Sequence, residues 1–538
     1  MELSNFSLIY PSAESKQEHL EGICVPDIDM FTLEELGLLE IFDLKSTELS
    51  KFFTTDISVM QYRMGIFRDM MNNPVLSETF NKVVPIVQDI TELRRLEADS
   101  GDADDYLSSI TEIELYISCI DILNEGLSAA RDSVKSEALI ALAERINELA
   151  TSEYYAELNK KLSELTRRVR EIKSVTVGVN LDSQLRPTSA GVLSVNSESF
   201  KSGDALDKIL RLSFKDDEYT CIANLVRFSK KQSENQRTAM SNAFNSAIND
   251  VYRSSLRSWK KIVQTYVLEN TDFLIELLPE IEFVVKGASL MRTLEARGFA
   301  LCEPTFAPLN SRTLIADGLY NPAVALKLPE GEEIVTNDIS FSEDDSLIFV
   351  LTGPNRGGKS VITCAIGISV CMMQLGMFFP ASSATVSPAD AIYTHFPTGA
   401  EDTIDKGRLG EECARLVEIF EGVTKYSLVL LDESLSSTGS FEGSYIASEV
   451  LSGFSIAGCR CLFATHLHEL AAEIDNINVI SAQKGGSKID TLVAGIDEGK
   501  RSFKIYRAKP DGKSYARDIA SRYGLTFDKI IEKIEQFE

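Results

Sequence analysis

A chain of 538 residues with 44% hydrophobic and 25% charged residues has the composition of a folded protein of about three to four domains, which excludes wholesale disorder. Its formal charge of −27 at pH 7 argues against indiscriminate coating of nucleic acid but leaves room for a local basic surface on an acidic body. Nine scattered cysteines, none in a CxxC pair, suit a reduced cytoplasmic interior better than a disulfide framework or a zinc site.

The opening MELSNFSLIYPSAESKQEHLEG lacks the basic and apolar stretches of a secretory signal. Residues 1–50 mix short apolar clusters with acidic stretches, as in Leu33 to Asp43, and are too few to form a sizeable domain alone. From Ser58 to about Ile172 the apolar residues step by three and four, with Val59, Tyr62, Ile66 and Met70 followed by Val83, Ile86, Ile90 and Leu93, and this spacing predicts helices. After an acidic break at Asp102 to Asp105, amphipathic helices are expected over Ile110 to Leu127 and Ala138 to Leu149. The next, Tyr154 to Ile172, ends in a basic face (Lys160, Lys161, Arg167, Arg168, Arg170) that is either a solvated surface or a contact for nucleic acid or a partner. Val175 to Asn180 and Gly191 to Asn196, around the turn-forming DSQLRPTS, predict a small hairpin. The middle of the chain is its most basic part, with Arg227, Lys230, Lys231, Arg237, Arg253, Arg257, Lys260 and Lys261. Two helices, Ile262 to Leu278 and Ile281 to Arg297, close this block, and Cys302 to Asn310 reads as a linker. There is no internal repeat or low-complexity tract.

From about residue 311 strands alternate with helices, as in an α/β domain with a mainly parallel sheet. The apolar run Leu347 to Leu351 leads through Thr352 into Gly353-Pro354-Asn355-Arg356-Gly357-Gly358-Lys359-Ser360, which fits GxxxxGK[ST]. A strand, a glycine-rich loop and a helix start are the context in which backbone N–H groups close around a phosphate. Lys359 then reaches its outer oxygens and the Ser360 hydroxyl serves Mg²⁺. The following Val361 to Phe379 is almost free of charge. Because it starts on the loop and carries Thr363, Ser369 and Gln374, it reads as the buried helix behind the loop, not as a membrane span. Two more apolar runs, Ser427 to Leu431 and Cys461 to Thr465, read as buried parallel strands with chemistry at their C-terminal ends. The first ends in Asp432-Glu433. Alone, that pair is equally a strand-end cap; with the phosphate loop upstream, Asp432 is assigned to the metal and Glu433 to polarising the attacking water. The second ends in His466, placed to sense the γ-phosphate. His468, two residues on, does not share a helical face with it, which argues against a zinc pair. Ser514 to Phe537 reads as two short helices around Gly524.

These residues resemble the MutS family of ATPases, within the ABC-type nucleotide-binding fold. GPNRGGKS resembles the family's GPNMGGKS loop, YSLVLLDE its Walker B strand, and LFATHLHEL its strand-plus-histidine motif. Between Glu433 and Glu442-Gly443 lies SLSSTGSF, similar in length to the family's IGRGTSTY ahead of Asp-Gly. Leu319-Tyr320-Asn321-Pro322 resembles the motif that opens the family's ATPase domain, and Cys302 to Phe306 the segment joining helical core to ATPase. Lys513-Ser514-Tyr515 and the helices after it are similar to the family's helix-turn-helix dimerisation element.

The resemblance implies a helical core and lever over residues 51–305, with a small β insertion, after a short segment 1–50. An ABC-type P-loop ATPase domain with its helix-turn-helix follows over 311–538. It implies ATP and Mg²⁺ as ligands, with Gly353, Pro354, Asn355, Arg356, Gly357, Gly358, Lys359, Ser360 and Val361 around the nucleotide, Ser360 and Asp432 on the metal, and Lys359, Glu433 and His466 in hydrolysis. It further implies a homodimer with two nucleotide sites and a DNA cargo held by its phosphates, in mismatch repair or recombination-type processing with a possible repair-protein partner. About 50 residues ahead of the core are too few for the family's mismatch-recognition and connector domains, and Asn5-Phe6-Ser7 is not its Phe-x-Glu wedge. Asp405 to Glu412 stands where the family has a Ser-Thr signature loop, without that serine, and only about 200–255 is left for a DNA clamp. A competing expectation is an ATP-gated dimeric scaffold that binds a protein and no DNA.

Overall fold

The computed structural model describes residues 6–43, 45–100, 106–170, 174–184, 187–196, 226–227, 268–354, 357–396, 407–497, 500–509 and 525–535. Asp102 to Asp105, Lys230, Lys231, Arg237, Arg253 to Lys261, Asn355, Arg356, Asp405, Lys406, Lys513 to Tyr515 and Gly524 lie outside these residues. The chain forms two compact units, one of residues 1–8, 73–135 and 139–282, the other of 9–72, 136–138 and 283–538. They divide it differently from boundaries at 50 and 305.

In the first unit the long helices Pro74–Ser100 and Tyr106–Ala130 run antiparallel. Gly126 faces Thr79 so closely that a Cβ would lie 2.0 Å from its hydroxyl, and near the other end Arg94 donates to the buried Glu112 at 2.8 Å. Helix Glu153–Arg170 follows, tied back through the Tyr155 hydroxyl, which donates to Asp121 at 2.7 Å. The expected hairpin forms from Ser174–Leu181 and Pro187–Asn196. One expectation is corrected: the two helices placed on either side of Pro279 are a single helix, Leu268–Ala296. Proline removes only one amide donor from a helix, and buried Leu274, Leu277, Ile281, Phe283 and Val284 supply packing on both sides of the break.

The second unit is built on a six-stranded sheet. Its strands are β1 (Ile348–Thr352), β2 (Ile392–His395), β3 (Leu428–Asp432), β4 (Arg460–Ala464), β5 (Ile489–Asp497) and β6 (Lys500–Arg507). The spatial order is β6-β5-β1-β4-β3-β2; neighbours from β5 to β2 are parallel and β6 is antiparallel. Every residue of β1 to β4 is buried, because helices cover both faces. On one side Val350, Val429, Leu431, Cys461 and Phe463 pack against α2 (Arg408–Gly422), α3 (Ser440–Ala457) and α4 (His468–Ala482). On the other lies α1 (Lys359–Gln374), buried along most of its length. Among the described residues no helix is long and apolar enough to cross a membrane. A second, smaller sheet takes the order 305–306, 383–386, 314–319, 337–341. Cys302 to Asn310, expected as a linker, therefore contributes a strand, paired in parallel with Thr385 and Val386.

The N-terminal segment of this unit packs on the six-stranded sheet. Asp27 bridges to Ala391 on the open side of β2, and Leu36 fits against α1 at Gly367, where a Cβ would lie 2.6 Å from Leu36 and 2.8 Å from Leu430. Glu35 is carried into the structure by this packing. Burial pushes its carboxyl from 4.5 up to about 7, against the pull of the Thr394 hydroxyl, the Phe396 amide and Arg415 and with a small push from Asp29. A raised carboxyl pKa contributes most to stability while the acid is neutral, below its unfolded value, and that contribution is lost as pH rises to about 7. Glu35→Gln, which cannot ionise, is therefore expected to raise the thermal midpoint at pH 8 by an amount corresponding to about 2 kcal/mol and to leave it nearly unchanged at pH 4.5, read by calorimetry at both pH values.

Candidate active site

The strands that sequence singled out lie side by side in the order β1, β4, β3. Leu351 is level with Ala464, and Ala464 with Asp432, so the three C-terminal tips share one edge. The chain leaves β1 for strands on one side, then returns to β5 on the other, which makes this edge the crevice where ligands of open α/β sheets bind.

Beyond β1 the loop runs close to β5. Gly353 has φ +142°, and a Cβ there would sit 2.7 Å from that of Ala494; Gly358, at φ +93°, starts α1. Both conformations belong to glycine. The Gly357 amide donates to the Pro354 carbonyl at 3.0 Å. Lys359 is only 4% exposed, and its ammonium donates to the carbonyls of Gly353 at 3.2 Å and Pro354 at 3.4 Å, which lays it across the loop. Burial lowers its pKa, while the carboxylates of Glu433 and Asp432 pull it back up. Ser360 is exposed at the first turn of α1, and Val361 beside it is 42% exposed.

Asp432 ends β3 buried. Its carboxyl is raised by burial, lowered by the adjacent Ser360 hydroxyl and Lys359, and raised again by Glu433, and its Oδ1 has no partner among the described residues. Glu433 is half-buried at φ +47°, an unusual conformation for a side chain of its size, and its amide donates to the Ala464 carbonyl at 2.8 Å. Half-buried His466 comes two residues after the end of β4. There the Thr465 amide donates to the Leu351 carbonyl at 2.9 Å, and its hydroxyl accepts the Leu467 amide at 3.1 Å as α4 begins. The structure thus brings Lys359, Ser360, Asp432 and Glu433 together, with His466 just past the neighbouring tip of β4 and Gly353, Pro354, Gly357, Gly358 and Val361 along the loop.

Hard oxygen donors and a buried carboxylate oxygen without a partner fit Mg²⁺. That ion takes one or two protein oxygens and completes its shell with phosphate and water. Among the described residues no group of three or more His, Cys, Asp or Glu is placed to hold a metal.

Sequence reasoning missed the neighbouring cavity of about 310 Å³, lined by Tyr320, Ile334, Val335, Asn337, Val361 and Phe503. Asn337 joins its walls: its Nδ2 donates to the Phe503 carbonyl at 3.2 Å and its Oδ1 accepts the Ile505 amide at 2.7 Å. Phe503 itself has φ +56°. Asn321 ties the cavity to α1 by donating to the Val361 carbonyl at 3.0 Å. A slot with aromatic and aliphatic walls beside a phosphate loop suits a flat heterocycle. Only the LYNP run signalled it, since Ile334, Val335 and Phe503 belong to no motif.

A parallel sheet with a phosphate loop on β1, an acid pair on β3 and an inserted β4 between them defines a P-loop ATPase domain of the ABC type. Residues 349–512 match the model of MutS domain V, which is such a domain, and residues 55–297 match that of the MutS2 N-terminal domain. The chain belongs to the MutS family. It is 35% identical over 241 residues to a DNA mismatch repair protein MSH3 of Cryptococcus neoformans, covering 42% of this chain and 19% of that protein. DNA mismatch repair protein MutS of Salinibacter ruber is 37% identical over 244 residues (42% and 25%), and that of Leptospira interrogans 31% over 208 (37% and 24%). The chain thus spans a quarter or less of the length of these relatives.

Proposed function

We propose that the protein is a Mg²⁺-dependent ATPase that works on DNA as a homodimer in the cytoplasm, with the helical part 51–305 as lever and 311–538 as engine. What supports the reading most is that Lys359, across the phosphate loop, lies within electrostatic reach of Asp432 and Glu433 at the tip of β3, with His466 just past the adjacent tip of β4. The base lies in the cavity beside Tyr320 and Phe503. The loop residues 353–361, Asn355 and Arg356 among them, hold the phosphates, and Lys359 turns from the loop carbonyls to the outer phosphate oxygens. Ser360 and Asp432 hold Mg²⁺, which when bound neutralises charge on the phosphates. Glu433 orients and polarises the attacking water, and His466 senses the outer phosphate. That phosphate favours the closed dimer, and its loss removes the preference. DNA is held through its phosphates by the basic middle, a reading supported by the likeness to DNA mismatch repair proteins.

The charge of −27 favours a second reading, an ATP-gated scaffold for a protein partner. Mobility-shift and ATPase assays on plain, mismatched and branched duplexes, with and without ATP and across salt, separate the two. The DNA reading expects salt-sensitive binding and stimulated turnover, and the absence of both supports the scaffold. Failure of the protein to retain ATP with Mg²⁺, in a preparation where Lys359→Ala serves as the negative control, overturns both.

A further inference from the structure

The turn that follows β3 is held in an unfavourable shape from outside. Glu433 and Leu435 have φ +47° and +63°, two non-glycine residues in the left-handed region within three positions. Such strain persists only where the surroundings over-determine it. Ser434, between them and 2% exposed, is bound to the tip of β2: its Oγ lies 2.6 Å from His395 Nδ1 and donates to the His395 carbonyl at 3.1 Å. Burial and the nearby Arg415 keep the His395 imidazole neutral, with a pKa near 4, so the pair is a plain hydrogen bond.

The tip of β2 is in turn gripped by the N-terminal segment. The Ile392 amide donates to the Asp27 carbonyl at 2.9 Å, the Thr394 amide to Thr32 Oγ1 at 3.3 Å and the Phe396 amide to Glu35 Oε1 at 2.9 Å. These three grips fall on alternate residues along one side of the strand and bracket His395, the residue that holds Ser434.

We infer that Glu35 is a positioning residue for hydrolysis, which acts through the tip of β2, His395 and Ser434 on the turn that aims Glu433. The inference rests on the proposed role of Glu433. Glu35 fixes the end of the strand from which His395 reaches the turn. Its loss is therefore felt in the chemical step and not in nucleotide binding.

Steady-state ATPase kinetics and the affinity for a fluorescent ATP analogue, measured on the full chain, test this. Glu35→Ala and Ser434→Ala are each expected to lower kcat about tenfold with KM and analogue affinity within about twofold of wild type. Glu35→Gln, which keeps an acceptor for the Phe396 amide, restores most of the rate. The double variant is no slower than the slower single one, because both substitutions release the same turn. Unchanged kcat in Glu35→Ala, losses that multiply in the double variant, or a fall in affinity that accounts for the rate each overturn the inference. Should Glu35→Ala not fold, Glu35→Asp, too short to reach the amide, takes its place. Glu433→Gln keeps the two failures apart: if it hydrolyses ATP normally the role of Glu433 falls, whereas if it is inactive while Glu35→Ala is normal only the present inference falls.

Discussion

With Glu433 replaced by Gln the protein is expected to bind ATP and Mg²⁺ as before and to hydrolyse the nucleotide about 10²- to 10⁴-fold more slowly, the range a positioned general base contributes. Gln matches Glu in size and leaves the backbone of the turn free to keep its shape, including the hydrogen bond that its N–H donates to the Ala464 carbonyl. What it removes is the carboxylate charge that polarises water. It also removes one of the two negative charges that oppose the loss of the Lys359 proton. Asp432 and the Ser360 hydroxyl remain for the metal, so affinity is retained and a bound, uncleaved state accumulates. Single-turnover hydrolysis beside filter binding reads both quantities. A rate within tenfold of wild type would transfer the task to another group.

The second large effect lies at the opposite end of the same sheet. Arg460 begins β4, fully buried, and its guanidinium donates to the carbonyls of Ser387 at 2.9 Å, Pro388 at 2.8 Å, Thr313 at 3.3 Å and Tyr426 at 3.3 Å. Desolvation lowers its pKa to about 10, against the attraction of Asp390, so it is still charged at neutral pH. The fork joins segments of both sheets: Ser387 and Thr313 adjoin the smaller one, and Tyr426 leads into β3. Arg460→Met fills much of the volume but takes this donor from the buried carbonyls of Ser387, Pro388 and Tyr426, at about 1–3 kcal/mol each before relaxation, while the Thr313 carbonyl keeps the Ser387 amide at 2.8 Å and hydroxyl at 3.1 Å. A net loss of about 4 kcal/mol, and a thermal midpoint lower by roughly 10 °C, is expected. Arg460→Lys recovers little, because one ammonium cannot span the same acceptors. Thermal unfolding followed by circular dichroism measures all three proteins, and a midpoint within 2 °C or so of wild type for Arg460→Met would show that the carbonyls find other donors.

Sequence disclosed the engine because its chemistry is local. A phosphate loop needs glycines and a lysine within eight residues, and a buried parallel strand must be apolar throughout, so β1, β3 and β4 stood out with Asp432, Glu433 and His466 at their ends. The helices of the first unit were legible for a similar reason, since the 3.6-residue period repeats along tens of residues. What escaped depends on contacts between distant parts of the chain. Nothing around Asp27 to Glu35 announces a grip on β2, because its hydrogen bonds are to a strand more than 350 residues away. Apart from Tyr320 and Asn321, the cavity beside the loop draws on residues such as 334, 335 and 503, each ordinary in its own neighbourhood. Thr305 and Phe306 are too short a run to signal a strand until their partner at 385–386 is known. Pro279 misled in the opposite sense, since a local rule that usually ends a helix gave way to packing.

Asp27 and its neighbours lie against the outer side of β2, the last strand of the main sheet. A shortened chain starting at residue 55, where the first family match begins, would strip that cover and unmask a row of backbone amides and carbonyls on a strand that is otherwise buried. Exposed rims of this kind recruit one another, so such a fragment would precipitate or form fibres for reasons unrelated to its catalytic machinery.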